Sequence, residues 1–563
     1  MPSVQRLPAP PRALFLGLWL LVLVGLLLRA WGAASLHGSY DAGLDDLLYA
    51  GQRRLAGDLT HHDFVNGTPA VAQLLYAPSA WLVSEVGSLR PHRLLMFALS
   101  LLGGGLLAAS QRQLARLGCL TLRPGSLLPL FGGLLYVLFV ALFPAGLSGL
   151  LGGFANALLL LALTLMLRAV GRPAGLGRRS RLELSLAGAA LLLLVHAQPD
   201  LLSSLLLVGV LLLALGQLRR PLAWLVPLSA GALIAEGLLL LPYLAVPDGL
   251  AHAWTGAVQL PLERIRELEP EGGGLAEQLE RLLRINVAGL PVALYLLVPG
   301  LELLRRAARG LGAGAAGSVA PDPRPLLLPA AALLFLLDGL LCLQRGFSGR
   351  EDQQLLVVPL VLLICTGLAS LESSPRRWRR GLALATVLLL SLILANNVLV
   401  SPLLHPPRGP RESVLALERD RAAVRRYVRS LPAVERSFTA PQDTGLHREL
   451  NQPAGTVGVG PRWSLDQQQL APSWATRRLG LPSGRDQVCR QLTARPTRHL
   501  VWLRTDPDGP NTEAFLRACL AADVDGWEEI SDQLDLRTGE VKVFRRRQPL
   551  PPPRPPLASP PPW

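Results

Sequence analysis

The chain has 563 residues, half of them hydrophobic and only 17% charged, with a formal net charge of +15. A soluble protein of this size carries about a quarter charged residues, so the composition excludes an ordinary soluble globular protein. Lys542 is the only lysine, so the positive charge is almost all arginine. Those arginines gather between apolar segments, which ties them to membrane orientation rather than to nucleic acid.

The first apolar run, Ala13 to Ala34, is too long for the core of a signal peptide, and Gly32, Ala33 and Ala34 are a weak cleavage signal; it reads as a retained first span. The loop 35–68 follows, with five aspartates (Asp41, Asp45, Asp46, Asp58, Asp63) interleaved with Tyr40, Tyr49 and Phe64. The segment 69–87 is apolar but broken by Pro78, Ser84 and Glu85, which predicts a helix lying at the interface. Further spans are predicted near 91–110, 125–145, 150–168, 183–197, 200–217, 222–246, 287–304, 325–343, 355–371 and 381–400. All but the 15-residue run 183–197 fall in the length range that crosses a bilayer core of roughly 30 Å.

Every second loop is arginine-rich: Arg112, Arg116 and Arg123; Arg168 to Arg181; Arg219-Arg220; Arg305-Arg306; Arg376 to Arg380. The positive-inside rule puts these loops and the N-terminus in the cytoplasm. It puts the acidic loop, the loop 247–286, the loop 345–354 and everything after Ser401 outside. The expected fold class is therefore a polytopic α-helical membrane protein of about eleven transmembrane helices with a small external α/β C-terminal domain. The predicted division is 1–400 for the membrane domain, 401–548 for the external domain and 549–563 for a proline-rich tail. The arginine, leucine, alanine and glycine bias suggests a GC-rich bacterial source, hence the bacterial plasma membrane.

Within the external domain, 411–429 reads as an amphipathic helix, His499 to Leu503 as a strand, and Thr512 to Ala521 as a helix capped near Asn511. Val541 to Phe544 reads as a second strand after a Thr538-Gly539 turn. Cys489 and Cys519 are the two cysteines of this oxidising side; a disulfide between them and two free thiols are both open readings.

The order Asp45-Asp46-Leu47-Leu48-Tyr49-Ala50, Gly57-Asp58, Asp63-Phe64-Val65-Asn66, Pro69 and Tyr76-Ala77-Pro78 resembles the GT-C superfamily. It is most similar to the bacterial protein O-mannosyltransferase and lipid A aminoarabinose transferase group. Arg345-Gly346-Phe347-Ser348-Gly349-Arg350, followed by Leu355 to Pro359, matches a second patch of that group. Two departures stand out: the group's Asp-Glu pair is Asp45-Asp46 here, and its loop lysine is absent, with Gly67-Thr68 before Pro69. The resemblance implies an inverting membrane glycosyltransferase. Its donor would be a polyprenyl-phosphate sugar, its acceptor a lipid, glycan or protein at the external face, and nucleic acid would play no part.

Such a transfer needs a base for the acceptor hydroxyl and a cation for the leaving phosphate. Asp45 is the first candidate base and Asp46 the second; as neighbours on a helical turn they point in different directions. The alternative is that the pair only caps a helix beginning near Leu47. Arg350, Arg345 and Arg53 are candidates for the donor phosphate, with Tyr49 and Asp63 for positioning the acceptor or the loop. Anchoring of spans is the competing account of the arginines, and Glu351-Asp352 stand ready to neutralise Arg350. His61-His62-Asp63 lacks a second ligand cluster at zinc spacing, and participation of a divalent cation stays open. Glu236, Asp338, His196 and Asp200 lie in or beside spans, where helix–helix hydrogen bonding is the expected role. A second functional reading is a transporter or flippase of lipid-linked sugars, which needs no base; against it, the spans show no internal repeat.

Overall fold

The computed structural model describes residues 12–35, 42–65, 69–86, 89–123, 125–142, 151–172, 177–197, 221–259, 357–373, 375–396, 412–440, 444–453, 478–479, 485–493, 497–503, 510–523 and 526–547. The predicted spans 200–217, 287–304 and 325–343 lie outside these residues, as do Arg345, Arg350, Asp200 and Asp338. The chain forms two compact units. One comprises Met1–His37, Glu85–Ala245 and Arg264–Arg408; the other comprises Gly38–Ser84, Val246–Glu263 and Gly409–Trp563.

The first unit is built of α1 (Arg12–Ser35), α4 (Arg90–Arg116), α5 (Leu128–Leu142), α6 (Leu151–Val170), α7 (Arg178–Ala197), α8 (Pro221–Leu244), α10 (Val357–Glu372) and α11 (Arg377–Ala395). Eight of the predicted spans fall on these helices. Among the described residues, Arg90–Arg116, Gly152–Val170, Arg178–Ala197 and Ala223–Leu244 are long and apolar enough to cross a membrane. Leu233, Ile234, Leu238 and Leu241 of α8 are exposed, as apolar side chains facing lipid would be.

Helices pack in sequence, α4 on α5 and α6, α6 on α7, α7 on α8, with α10 against α5 and α11. The approach of α7 and α8 depends on two glycines. A Cβ at Gly188 would collide with the backbone of Leu228, and one at Gly231 with that of Ser185. Small residues let membrane helices meet backbone to backbone, where dispersion replaces the missing hydrophobic drive. The same helix pair is joined by His196 and Glu236, Nε2 to Oε2 at 2.6 Å. That is the interhelical role expected of these two polar groups. Ser110 and Thr164 join α4 to α6 at 2.9 Å.

The second unit contains α2 (Ala42–Leu55), residues 70–84 of α3 (Ala70–Val86), α9 (Gly249–Trp254) continuing as a π-helical turn (Thr255–Gln259), α12 (Glu412–Ser430), α13 (Thr444–Glu449), α14 (Arg485–Leu492) and α15 (Pro510–Ala522). Its sheet has the order β1-β2-β4-β3, where β1 is Phe438–Thr439, β2 His499–Leu503, β3 Trp527–Glu529 and β4 Val541–Arg546. β1 runs parallel to β2; β2–β4 and β3–β4 are antiparallel.

All of β2 is buried because the sheet is covered on both faces. Val501 and Leu503 join Val424, Val428, Phe438, Leu446 and Val543 in one core, while Leu500 and Trp502 join Leu492, Leu516, Leu520 and Phe544 in another. The period of two along a strand produces this division. A Cys489–Cys519 disulfide ties α14 to α15.

The turn before β4 is held from α12. Asp420, buried, accepts the Arg537 N–H at 3.1 Å, the Thr538 N–H at 2.9 Å and the Thr538 hydroxyl at 2.6 Å, and Gly539 takes φ +66°. Asp420→Ala leaves these donors without their acceptor, so it should destabilise the unit by about 2–3 kcal/mol, read as a lower thermal midpoint and faster hydrogen exchange at Arg537 and Thr538.

Burial also lowers the pKa of the His499 ring below the ordinary imidazole value, with the Tyr427 hydroxyl 3.0 Å from Nε2. The unfolded chain therefore takes up this proton first. The stability of this unit should be complete above about pH 6.5 and fall as pH drops through that value. His499→Gln should flatten that part of a thermal-midpoint-against-pH curve.

Candidate active site

The acidic loop opens into α2, which starts at Ala42 rather than near Leu47. Asp45 therefore lies inside the first helical turn and not at the cap. The helix N-terminus still favours its charge. Asp45 and Asp46 are both buried, in a stretch where Leu44 to Ala50 are buried without a break. A buried carboxylate needs charged or hydrogen-bonding partners.

For Asp45 the partners come from the far end of the chain. Arg448 on α13 donates from Nη2 to Oδ1 at 2.9 Å and from Nε to the same oxygen at 3.3 Å. Arg421 on α12, only 4% exposed, places Nη2 3.9 Å from Oδ2. Behind them, Arg421 Nη1 donates to Glu418 at 3.0 Å; Arg448 also reaches Glu449 at 3.5 Å, and Glu449 pairs with Arg425. Three carboxylates thus alternate with three guanidiniums. Gly445 sits directly on this array, since a Cβ there would strike the Asp45 carboxylate and the Arg421 guanidinium.

His447 fixes α13 in place. Its ring is buried, stacks on Phe438 at 4.5 Å and 11°, lies 6.1 Å from the Tyr49 ring, and accepts the Ala440 N–H through Nε2 at 3.0 Å. The acceptor role of Nε2 requires the proton, in the neutral ring, to be on Nδ1. Tyr49 is itself buried and meets Phe64 edge-on at 5.4 Å, so it is part of the packing that joins α2 to its own loop and to α13.

The rest of the loop is pinned locally. Arg53 pairs with Asp58, which commits its charge within the turn at the end of α2. Asp63 accepts the Leu59 N–H at 2.7 Å and meets His62 Nδ1 at 2.8 Å. Gln73 of α3 donates to Thr60. His61 adopts φ +67°, a left-handed conformation that costs energy in a residue with a Cβ. Its ring packs on Gly256 of the π-helical turn, and His252 Nδ1 donates to its carbonyl at 3.0 Å. Among the described residues no group of three His, Cys, Asp or Glu is arranged for a metal ion.

Of the residues singled out from sequence, the structure brings Asp45, Asp46 and Tyr49 onto the buried stretch of one helix and places Arg53 and Asp63 in ion pairs or hydrogen bonds at the end of that helix and in the adjoining loop. It adds four that sequence reasoning missed: Arg448, Arg421, Gly445 and His447. The amphipathic pattern of 411–429 was the one available signal, and it located the helix carrying Arg421 without its partner.

No protein-family model matches the chain, and no curated protein matches it by sequence. Among solved structures it is similar to the crystal structure of ArnT from Cupriavidus metallidurans bound to undecaprenyl phosphate. The TM-score is 0.53 and the identity 12%, over 97% of this chain and 100% of that one. At this identity the likeness shows the fold alone, that of the ArnT structure. A fold alone does not fix an activity.

Gly445→Val should force a branched side chain into the ion-pair array. A loss of about 1–3 kcal/mol is expected, as for other overpacked sites, seen as a lower thermal midpoint of the full-length protein in detergent, with Gly445→Ala intermediate.

Proposed function

We propose that this protein is a membrane glycosyltransferase. In this reading it takes a sugar from a polyprenyl-phosphate donor and transfers it, with inversion, to an acceptor hydroxyl at the external face, with Asp45 as the base. The observation that carries the proposal is a buried aspartate in the first turn of α2, held by two arginines, within a chain that shares the fold of ArnT. ArnT was solved with undecaprenyl phosphate, which supports a lipid of that class as this chain's donor carrier. The topology that accompanies the reading has about eleven spans, a cytoplasmic N-terminus and an external C-terminal domain, in a bacterial plasma membrane.

The chemistry is a displacement at the anomeric carbon. Asp45 takes the proton of the acceptor hydroxyl, the acceptor oxygen bonds to the anomeric carbon from the face opposite the leaving group, and the carbon–oxygen bond to phosphate breaks. Its electron pair stays on the phosphate, which departs as polyprenyl phosphate while Asp45 holds the proton. Asp46, with a buried side chain of its own, positions the turn that carries Asp45.

Asp45→Asn keeps the shape of the side chain but exchanges one acceptor oxygen for an amide donor and cannot take a proton at neutral pH. Transfer of labelled sugar from a polyprenyl-phosphate donor by purified protein should fall by about 10²- to 10⁴-fold at a temperature where the variant is still folded, with membrane insertion retained and the thermal midpoint lowered by loss of the buried ion pair. Full activity in Asp45→Asn would remove Asp45 as the base. Movement of the labelled lipid across vesicles without any transfer would favour the transporter reading instead.

A further inference from the structure

Asp45, as the structure holds it, cannot act as a base. Its Oδ1 lone pairs are committed to Nε and Nη2 of Arg448, Arg421 faces Oδ2, and the buried carboxylate packs so closely on Gly445 that a Cβ there would strike it. Something must take Arg448 away before a hydroxyl can approach. The guanidinium fork that grips a carboxylate fits a phosphate at least as well, through the same parallel N–H donors. Arg448 has a second carboxylate, Glu449, within 3.5 Å, so it keeps a partner when it leaves Asp45. Arg421 is fixed by Glu418 and stays behind as a permanent charge.

We propose that Arg448 is an exchangeable clamp: the donor's phosphate takes its guanidinium from Asp45, and this exchange frees the carboxylate to act as base. The inference rests on the transferase reading and adds to it a residue that senses the donor. It makes base activation conditional on a bound donor, so the acceptor proton is taken only when a sugar is in place. Arg448 then stays on the phosphate oxygen that receives the electron pair as the bond to the sugar breaks, where developing negative charge strengthens the contact.

The exchange predicts opposite effects from the two halves of one ion pair. Binding of undecaprenyl phosphate to full-length protein in detergent, followed by tryptophan fluorescence, is the measurement. Asp45→Asn removes the competitor for Arg448 and should tighten binding about tenfold; Arg448→Gln removes the clamp and should weaken it at least about tenfold. Arg448→Lys keeps the charge without the fork and should fall between wild type and Arg448→Gln. The double variant should bind as weakly as Arg448→Gln. Thermal midpoints identify any variant that fails to fold, and Asp45→Asn with Arg448→Lys then decide the matter.

Should Asp45→Asn leave binding unchanged or weaken it, or should Arg448→Gln bind like wild type, Arg448 is a structural partner and the clamp is wrong, with the transferase reading intact. A wild-type protein that does not bind undecaprenyl phosphate at all overturns both.

Discussion

The ion pair between Asp45 and Arg448 is the constraint on which the rest of this site depends. It joins residues 403 positions apart in the chain, the one in α2, the next helix after α1, and the other in a six-residue helix of the C-terminal region. A buried carboxylate is costly unless paired, and removing one partner of a buried pair typically costs about 3–5 kcal/mol. The pair therefore does more than decorate the surface of α2. With the aromatic packing of Tyr49, His447 and Phe438, it holds the acidic segment and the C-terminal sheet in one compact unit.

The stability this array supplies and the chemistry it prevents have the same cause. Charges that alternate from Arg425 through Glu449, Arg448 and Asp45 to Arg421 and Glu418 satisfy one another, and a satisfied carboxylate is idle. Under the proposed function, such a resting state keeps Asp45 from deprotonating an acceptor before a donor is bound. The local backbone is arranged to match: Gly445 allows α13 to approach the carboxylate closely, and His447, two residues on, anchors the same helix.

Much of the fold is written in local pattern and could be read from the sequence. Apolar runs about twenty residues long, bounded by arginines, placed the helices of the first unit, because length and hydropathy are the two quantities a bilayer selects. Strand β2 was legible as the short, largely apolar run His499 to Leu503, and the turn before β4 as Thr538-Gly539. The acidic pair was legible as a candidate site because five aspartates in a basic chain need a reason. What was not legible is what Asp45 touches. Arg448 and Arg421 are two of many arginines, and nothing in their immediate neighbours distinguishes an arginine that crosses to a distant carboxylate from one that faces solvent. The same limit applies to His447, whose burial depends on Phe438 and Tyr49 arriving from two other elements. Sequence pattern identifies which faces are apolar; it does not identify which charge meets which.

Under the proposed function, a donor phosphate and Asp45 compete for one guanidinium, that of Arg448. A density map of the full-length protein with undecaprenyl phosphate bound tests it most directly. The account predicts phosphate density within hydrogen-bond distance of Arg448 and an Asp45 carboxylate no longer bonded to it. Phosphate located elsewhere, with the Asp45–Arg448 pair intact, would contradict it.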